Sequence, residues 1–126
     1  MSTKKERMYK AIHQHGLDLL AIFPDAIEKD PVKLCKKLFS LEVKAHKLAE
    51  NWCNGYIQTD DIDRTIQPIM SKVEKILGIS ATDAGIFFNG DCRGYALKVK
   101  SDKTKGTNLY RDFGGYGIIA PDFGEV

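Results

Sequence analysis

The first periodic run of the chain steps through Met8, Ile12, His15, Leu19 and Ile22 at intervals of four and three, with Ala11, Leu20 and Phe23 widening the stripe. That spacing returns to one face of a 3.6-residue helix, so an amphipathic helix is predicted from about Thr3 to Ile22, closed by Pro24. Gly16 interrupts it. Glycine inside a helix costs about 1 kcal/mol relative to alanine, which predicts either local loosening or close packing at that point.

Asp30 followed by Pro31 opens a second helix, because an aspartate side chain can hold free amides and proline is pre-set for the first helical position. Leu34, Leu38, Leu41, Ala45, Leu48 and Trp52 then repeat at four and three, a seam kept for almost three heptads. Lys33, Lys36, Lys37, Lys44 and Lys47 fall off that seam and read as a solvated face, with a face for an acidic partner as the alternative. Asn54 and Gly55 supply a left-handed stop. Thr59, Asp60 and Asp61 offer the next cap, and Ile62, Ile66, Ile69, Val73 and Ile76 carry the same spacing up to Gly78. Two helices with matching seams and a short turn pack antiparallel. Pro68, inside the third helix, predicts a kink or a break.

After Gly78 the period changes to two. GIFF, YALKVK, LYRD and GIIA are short β-branched or aromatic runs separated by NGDCRG, SDKTKGTN and FGGY, which is hairpin punctuation. Three or four antiparallel strands follow, with Tyr95, Leu97 and Val99 on an apolar face and Ala96, Lys98 and Lys100 on a wet one. The fold class is therefore α+β: one domain over residues 1–126, with a helical part at 1–78 and a β-meander at 79–126. In it an antiparallel helix hairpin within a three-helix segment packs on a small antiparallel sheet.

At 126 residues and 43% hydrophobic content the chain can build a core without staples. Its 19 Lys and Arg against 17 Asp and Glu leave a net charge of +2, too little to favour nucleic acid as partner. No apolar run approaches the roughly 20 residues that span a bilayer, and MSTKKERMYK lacks the apolar core of a secretory signal; a cytoplasmic protein is expected. Cys35, Cys53 and Cys92 are odd in number and never form a CxxC pair, which predicts reduced thiols; Cys35 and Cys53 are expected to be buried as small hydrophobes, leaving Cys92 as the exposed one.

Candidate chemistry gathers in the last third. NGDCRGYALK sets Asn89, Asp91, Arg93, Tyr95 and Lys98 around two glycines, and YRDFGGYG sets Tyr110, Arg111, Asp112 and Tyr116 around three more. In one reading these are surface turns, with Asp91 bonding local amides and Arg93 paired to Asp91 or Asp112. In another, Arg93 and Arg111 form a donor pair for a phosphate or carboxylate, with Tyr95, Tyr110 or Tyr116 as a stacking face. FGGYG has no GK[ST] after it and opens no helix, so it reads as a bulge or reversal in place of a phosphate cradle. His13 and His15 point about 200° apart on a helix and do not share a metal. No catalytic residue, metal ligand or cofactor is assigned.

The runs DPVKLCKKLFSLE, AENWCNG, FFNGDCRGYALK and YRDFGGYGIIAPDF together resemble a family of small proteins encoded by tailed phages and prophages. Members carry proline at the position of Cys92 and tryptophan at that of Phe113, which argues against an essential thiol at Cys92. The resemblance implies a viral origin without an assigned mechanism. It sets the expected function as a non-enzymatic accessory protein that binds a host component, such as part of a defence system. The alternatives are a binder of a nucleotide or other phosphorylated small molecule, and a small enzyme. The long seam of the second helix further predicts a homodimer or larger assembly burying Leu41, Leu48 and Trp52. Light scattering at micromolar concentration should give at least twice the monomer mass, and a monomer mass would remove that expectation.

Overall fold

The structure is a computed structural model that describes residues 3–79, 85–88, 96–100 and 116–118, with Lys100 and 116–118 described by backbone alone. Helices α1 (Lys4–Ile22), α2 (Pro31–Cys53) and α3 (Thr59–Leu77) precede strands β1 (Ile86–Phe88), β2 (Leu97–Lys100) and β3 (Tyr116–Ile118). The α+β class expected from the change of period is what the chain adopts.

Helix α1 starts where a capping box forms. The Glu6 amide donates to Thr3 Oγ1 at 3.1 Å and the Thr3 amide donates back to the Glu6 carboxylate at 3.3 Å. Ile12, His15, Gly16 and Leu19 are its buried face, and Met8 and Ile22 are half-buried beside it. Ala11, expected to widen the stripe, is exposed.

In α2 the Lys33 amide donates to Asp30 Oδ1 at 3.0 Å, with Pro31 in the first turn. Leu34, Leu38, Leu41 and Ala45 are buried as expected, but the buried row then runs to Ala49, leaving Leu48 and Trp52 half-buried. A straight helix drifts by about 20° per heptad from a strict seven-residue repeat, which carries Leu48 towards the edge, and Trp52 lies in the last turn of the helix. Leu41 is only 4% exposed and is covered by its own chain, so it is not surplus seam. At the end of the helix Gly55 takes the left-handed conformation (φ 78°), whereas Asn54 does not (φ −86°).

The expected cap of α3 is corrected, and of the kink or break expected at Pro68 the break is excluded. Its N-cap is Gln58, with no side-chain capping bond, and Thr59 lies one position inside, where its Oγ1 accepts from the Trp52 indole N–H at 3.2 Å. Asp60 and Asp61 still occupy the first turn, where the helix dipole favours negative charge. The helix also runs unbroken through Pro68. Pro68 is on the exposed side, where a carbonyl without its amide partner can meet water. Burying Ile62, Ile66, Ile69, Val73 and Leu77 at about 1.5–3 kcal/mol each outweighs the roughly 3 kcal/mol that an interior proline costs.

The helices approach closely at two glycines. A methyl group at Gly16 would lie 2.2 Å from the Pro31 carbonyl oxygen, so α1 meets the start of α2 backbone to backbone. Gly78 closes α3 in the left-handed region (φ 72°), and a Cβ there would lie 2.2 Å from the Asp25 carbonyl oxygen. The Ile27 amide donates to the Ile76 carbonyl at 2.9 Å, tying the α1–α2 connection to the end of α3. Trp52 meets Thr59 at one end of the α2–α3 pair, while Lys37 and Ser40 share a groove with Lys75 and Ile76 at the other, so the two helices run antiparallel.

β1 pairs antiparallel with β2, Ile86 opposite Val99 and Phe88 opposite Leu97, and β3 lies along the other side of β2 with Val99 opposite Gly117. Ile86, Leu97 and Val99 are buried in the same core as Leu34, Leu38, Val73 and Leu77. Ala96 was expected on the wet face but is fully buried, because its amide is held from α2 just before the strand begins. LYRD (109–112), expected as a strand, lies outside the described residues.

Gly16→Ala should lower stability by about 1–3 kcal/mol through overpacking against backbone, even though alanine gains about 1 kcal/mol of helix propensity. Urea denaturation measures it, and a raised midpoint would mean that α1 and α2 do not make this contact.

Candidate functional site

Of the nine residues singled out in the glycine-rich turns, two fall on described structure. Lys98 is half-buried in the middle of β2, opposite Phe87 on one side and Ile118 on the other. Tyr116 opens β3, its backbone opposite Lys100; the sequence reading had placed it in a turn. Asn89, Asp91, Arg93, Tyr95, Tyr110, Arg111 and Asp112 lie outside the described residues, as does Cys92.

The helical half supplies a site of its own. Between α2 and α3 runs a groove of about 440 Å³ whose α2 wall is Lys36, Lys37, Ser40, Leu41 and Lys44 and whose α3 wall is Lys72, Lys75 and Ile76, with Ile27 at its border. Helical spacing explains the alignment: residues three and four apart stack on one face, so Lys37, Leu41 and Lys44 form one row and Lys72, Lys75 and Ile76 form another. The antiparallel pairing then brings the two rows to a common hollow. All five lysines are exposed, Ile76 is half-buried, and Ile27 is 61% exposed. The result is an apolar floor between cationic rims.

Among the described residues one of the five lysines has an ion-pair partner: Lys37 Nζ stands 3.2 Å from the Glu28 carboxylate. The Asp30 amide and then Lys37 hold the Glu28 carboxyl below its ordinary value. Lys72 and Lys75, three apart on α3, repel by a few tenths of a kcal/mol, which an anion between the walls would offset. The lysines of α2 were legible as an off-seam face. Lys72 and Lys75 were not singled out, and only their three-residue spacing on a helix antiparallel to α2 could have joined them to it.

Deeper in, Glu42 is 6% exposed and accepts two amides, from Ala96 at 2.6 Å and from Leu97 at 2.8 Å. Burial pushes its carboxyl above the ordinary value, against the downward pull of the Leu97 and Ala96 amides and then of His46 and Lys98. Cys35 is fully buried, its Sγ 3.4 Å from the Ile12 carbonyl, and burial raises its pKa to about 12, so it stays a thiol and serves as packing. Cys53, expected to be buried too, is exposed; it is the last residue of α2. His15 is buried within α1, Tyr9 and His13 stack with ring centres 6.4 Å apart, and His46 pairs with Glu50 at 3.1 Å on the exposed side of α2. Among the described residues no three His, Cys, Asp or Glu side chains stand together as a metal site, and no helix is long and apolar enough to cross a membrane. Comparison with protein-family models, with curated proteins and with solved structures finds no match for this chain.

The raised pKa of Glu42 fixes the sign of its pH dependence. The native state holds this proton more tightly than the unfolded chain, so the stabilisation is complete below about pH 4.5 and is lost as pH rises through the raised value. The stability difference between wild type and Glu42→Gln should therefore shrink over that interval and level off above it. At pH 7 the variant should still be less stable by about 1–3 kcal/mol, since glutamine turns a donor towards one of the two amides. Chemical denaturation at a series of pH values reads both, and a difference that grows with pH would show that the amides outweigh burial.

Proposed function

We propose that the protein is a non-enzymatic binding module for a negatively charged partner. The observation that carries this reading is the groove between α2 and α3, where five lysines from two helices face one hollow floored by Leu41 and Ile76. Basic rims steer an anionic partner towards the groove, and the apolar floor rewards contact once it arrives. The resemblance of the chain to phage-encoded proteins extends the reading to a host component as partner, a defence protein being the natural case. Arg93 and Arg111, with Tyr95, Tyr110 and Tyr116, belong to the same proposal as a second contact surface.

A phosphorylated small molecule is the second reading. It is favoured by the volume of the groove, which lies within the roughly 300–1,000 Å³ of small-molecule sites.

Two charge-reversed variants test the proposal on the full chain: Lys36→Glu with Lys44→Glu and Lys72→Glu, and Arg93→Glu with Arg111→Glu. Retention on immobilised heparin, used as a generic polyanion, should fall to markedly lower salt for the lysine variant while its circular dichroism stays that of the wild type. Unchanged retention would refute the groove. A nucleotide panel in thermal shift decides the second reading, since a ligand at 100 times its Kd adds about 2.7 kcal/mol.

A further inference from the structure

The shape of the groove distinguishes between anions. Its walls follow two antiparallel helices, and Lys44 is eight residues on from Lys36, roughly 12 Å of helix at 1.5 Å per residue. Along that length charge and apolar side chains share each wall: Lys37, Leu41 and Lys44 on one, Lys72, Lys75 and Ile76 on the other. Ile27, 61% exposed, extends the apolar strip past the end of the groove. A phosphodiester backbone or a free polyphosphate has nothing to place on that strip. The cations here are all lysines, compact point charges without the planar fork that reads phosphate in bidentate fashion; the described arginine of α3, Arg64, is in its first half and engages Asp61. The chain as a whole is also only mildly basic, at +2, where phosphate-backbone binders concentrate charge. One carboxylate, that of Glu28, is already seated against a groove lysine, at 3.2 Å from Lys37 Nζ.

We propose that the groove between α2 and α3 takes an acidic amphipathic protein segment of two to three helical turns, with aliphatic side chains on Ile76 and Ile27 and flanking carboxylates on Lys36, Lys44, Lys72 and Lys75. This rests on the reading of the protein as a binder of negatively charged partners and names the class of partner. Such a segment meets all the features at once: residues three and four apart give it an apolar stripe about as wide as the floor, and glutamates beside the stripe reach both rims. Charge sets its direction and speed of arrival; the apolar anchors hold it.

The test uses the full-length protein and four labelled or competing probes in fluorescence anisotropy: a 16-residue helical peptide with leucines on one face and glutamates beside them, a scrambled peptide of the same composition, a single-stranded oligonucleotide of equal charge, and inorganic tripolyphosphate. The amphipathic peptide should bind at least tenfold more tightly than the scrambled one, and Lys36→Glu with Lys44→Glu and Lys72→Glu should weaken it at least tenfold. Lys5→Glu with Lys10→Glu, on α1 away from the groove, should leave it unchanged; circular dichroism confirms folding of both variants. Ile27→Ser, a surface change that spares the core, should weaken the peptide severalfold without altering its salt dependence. Oligonucleotide or tripolyphosphate binding through the same lysines, with the peptide no tighter than its scramble, would overturn this inference and leave the anionic-partner reading standing. Binding of none of the four would overturn both.

Discussion

The carboxylate of Glu42 is the contact on which the arrangement of helices and strands turns. It leaves the middle of α2 and accepts the amides of Ala96 and Leu97, at the point where the chain enters β2. A buried carboxylate is costly unless hydrogen bonds replace its water, and two adjacent buried amides are costly without an acceptor for the same reason. Each need is met by the other. Since Leu97 and Val99 then face the same core as Leu38 and Val73, this one polar contact fixes where along α2 the sheet is seated and which face it turns inward.

Two backbone contacts set the helices themselves. Gly16 lets α1 touch the first residue of α2, and Gly78 lets the end of α3 touch the connection after α1. Neither place has room for a Cβ. With both ends of the three-helix segment held, α2 and α3 have little freedom to slide, and the lysines of each come to one hollow as a consequence of packing. The groove is thus a by-product of how the hydrophobic faces mate: the seams of α2 and α3 turn inward together, and the off-seam positions nearest the joint, Lys37, Lys44, Lys72 and Lys75, are left to line its outer edge.

The helices were legible because their signals are local. The Asp30–Pro31 opening and the Gly78 stop each act within four residues, and the four-three spacing of apolar positions names the inward face without knowledge of what lies opposite. Where a local rule met a distant partner it gave way. Thr59 reads as a cap but is taken by Trp52, and Pro68 reads as a kink or a break but the helix continues through it, with the proline on its exposed side. Cys53 reads as buried by proximity to the seam, yet as the last residue of α2 it is exposed.

By itself, the sequence determined the three helices, the change to a period of two after Gly78, and the inward set of Ile12, Leu34, Leu38, Leu41, Ile66 and Val73, since periodicity and capping depend only on neighbours in the chain. The tertiary structure alone decided that Glu42 would be buried, that Ala96 would sit inside, and that lysines 28 to 39 residues apart would share a groove. Those outcomes depend on which faces meet across space, and the pairing of α2 with β2 and with α3 is a property of the packed core as a whole, written into no single stretch of residues.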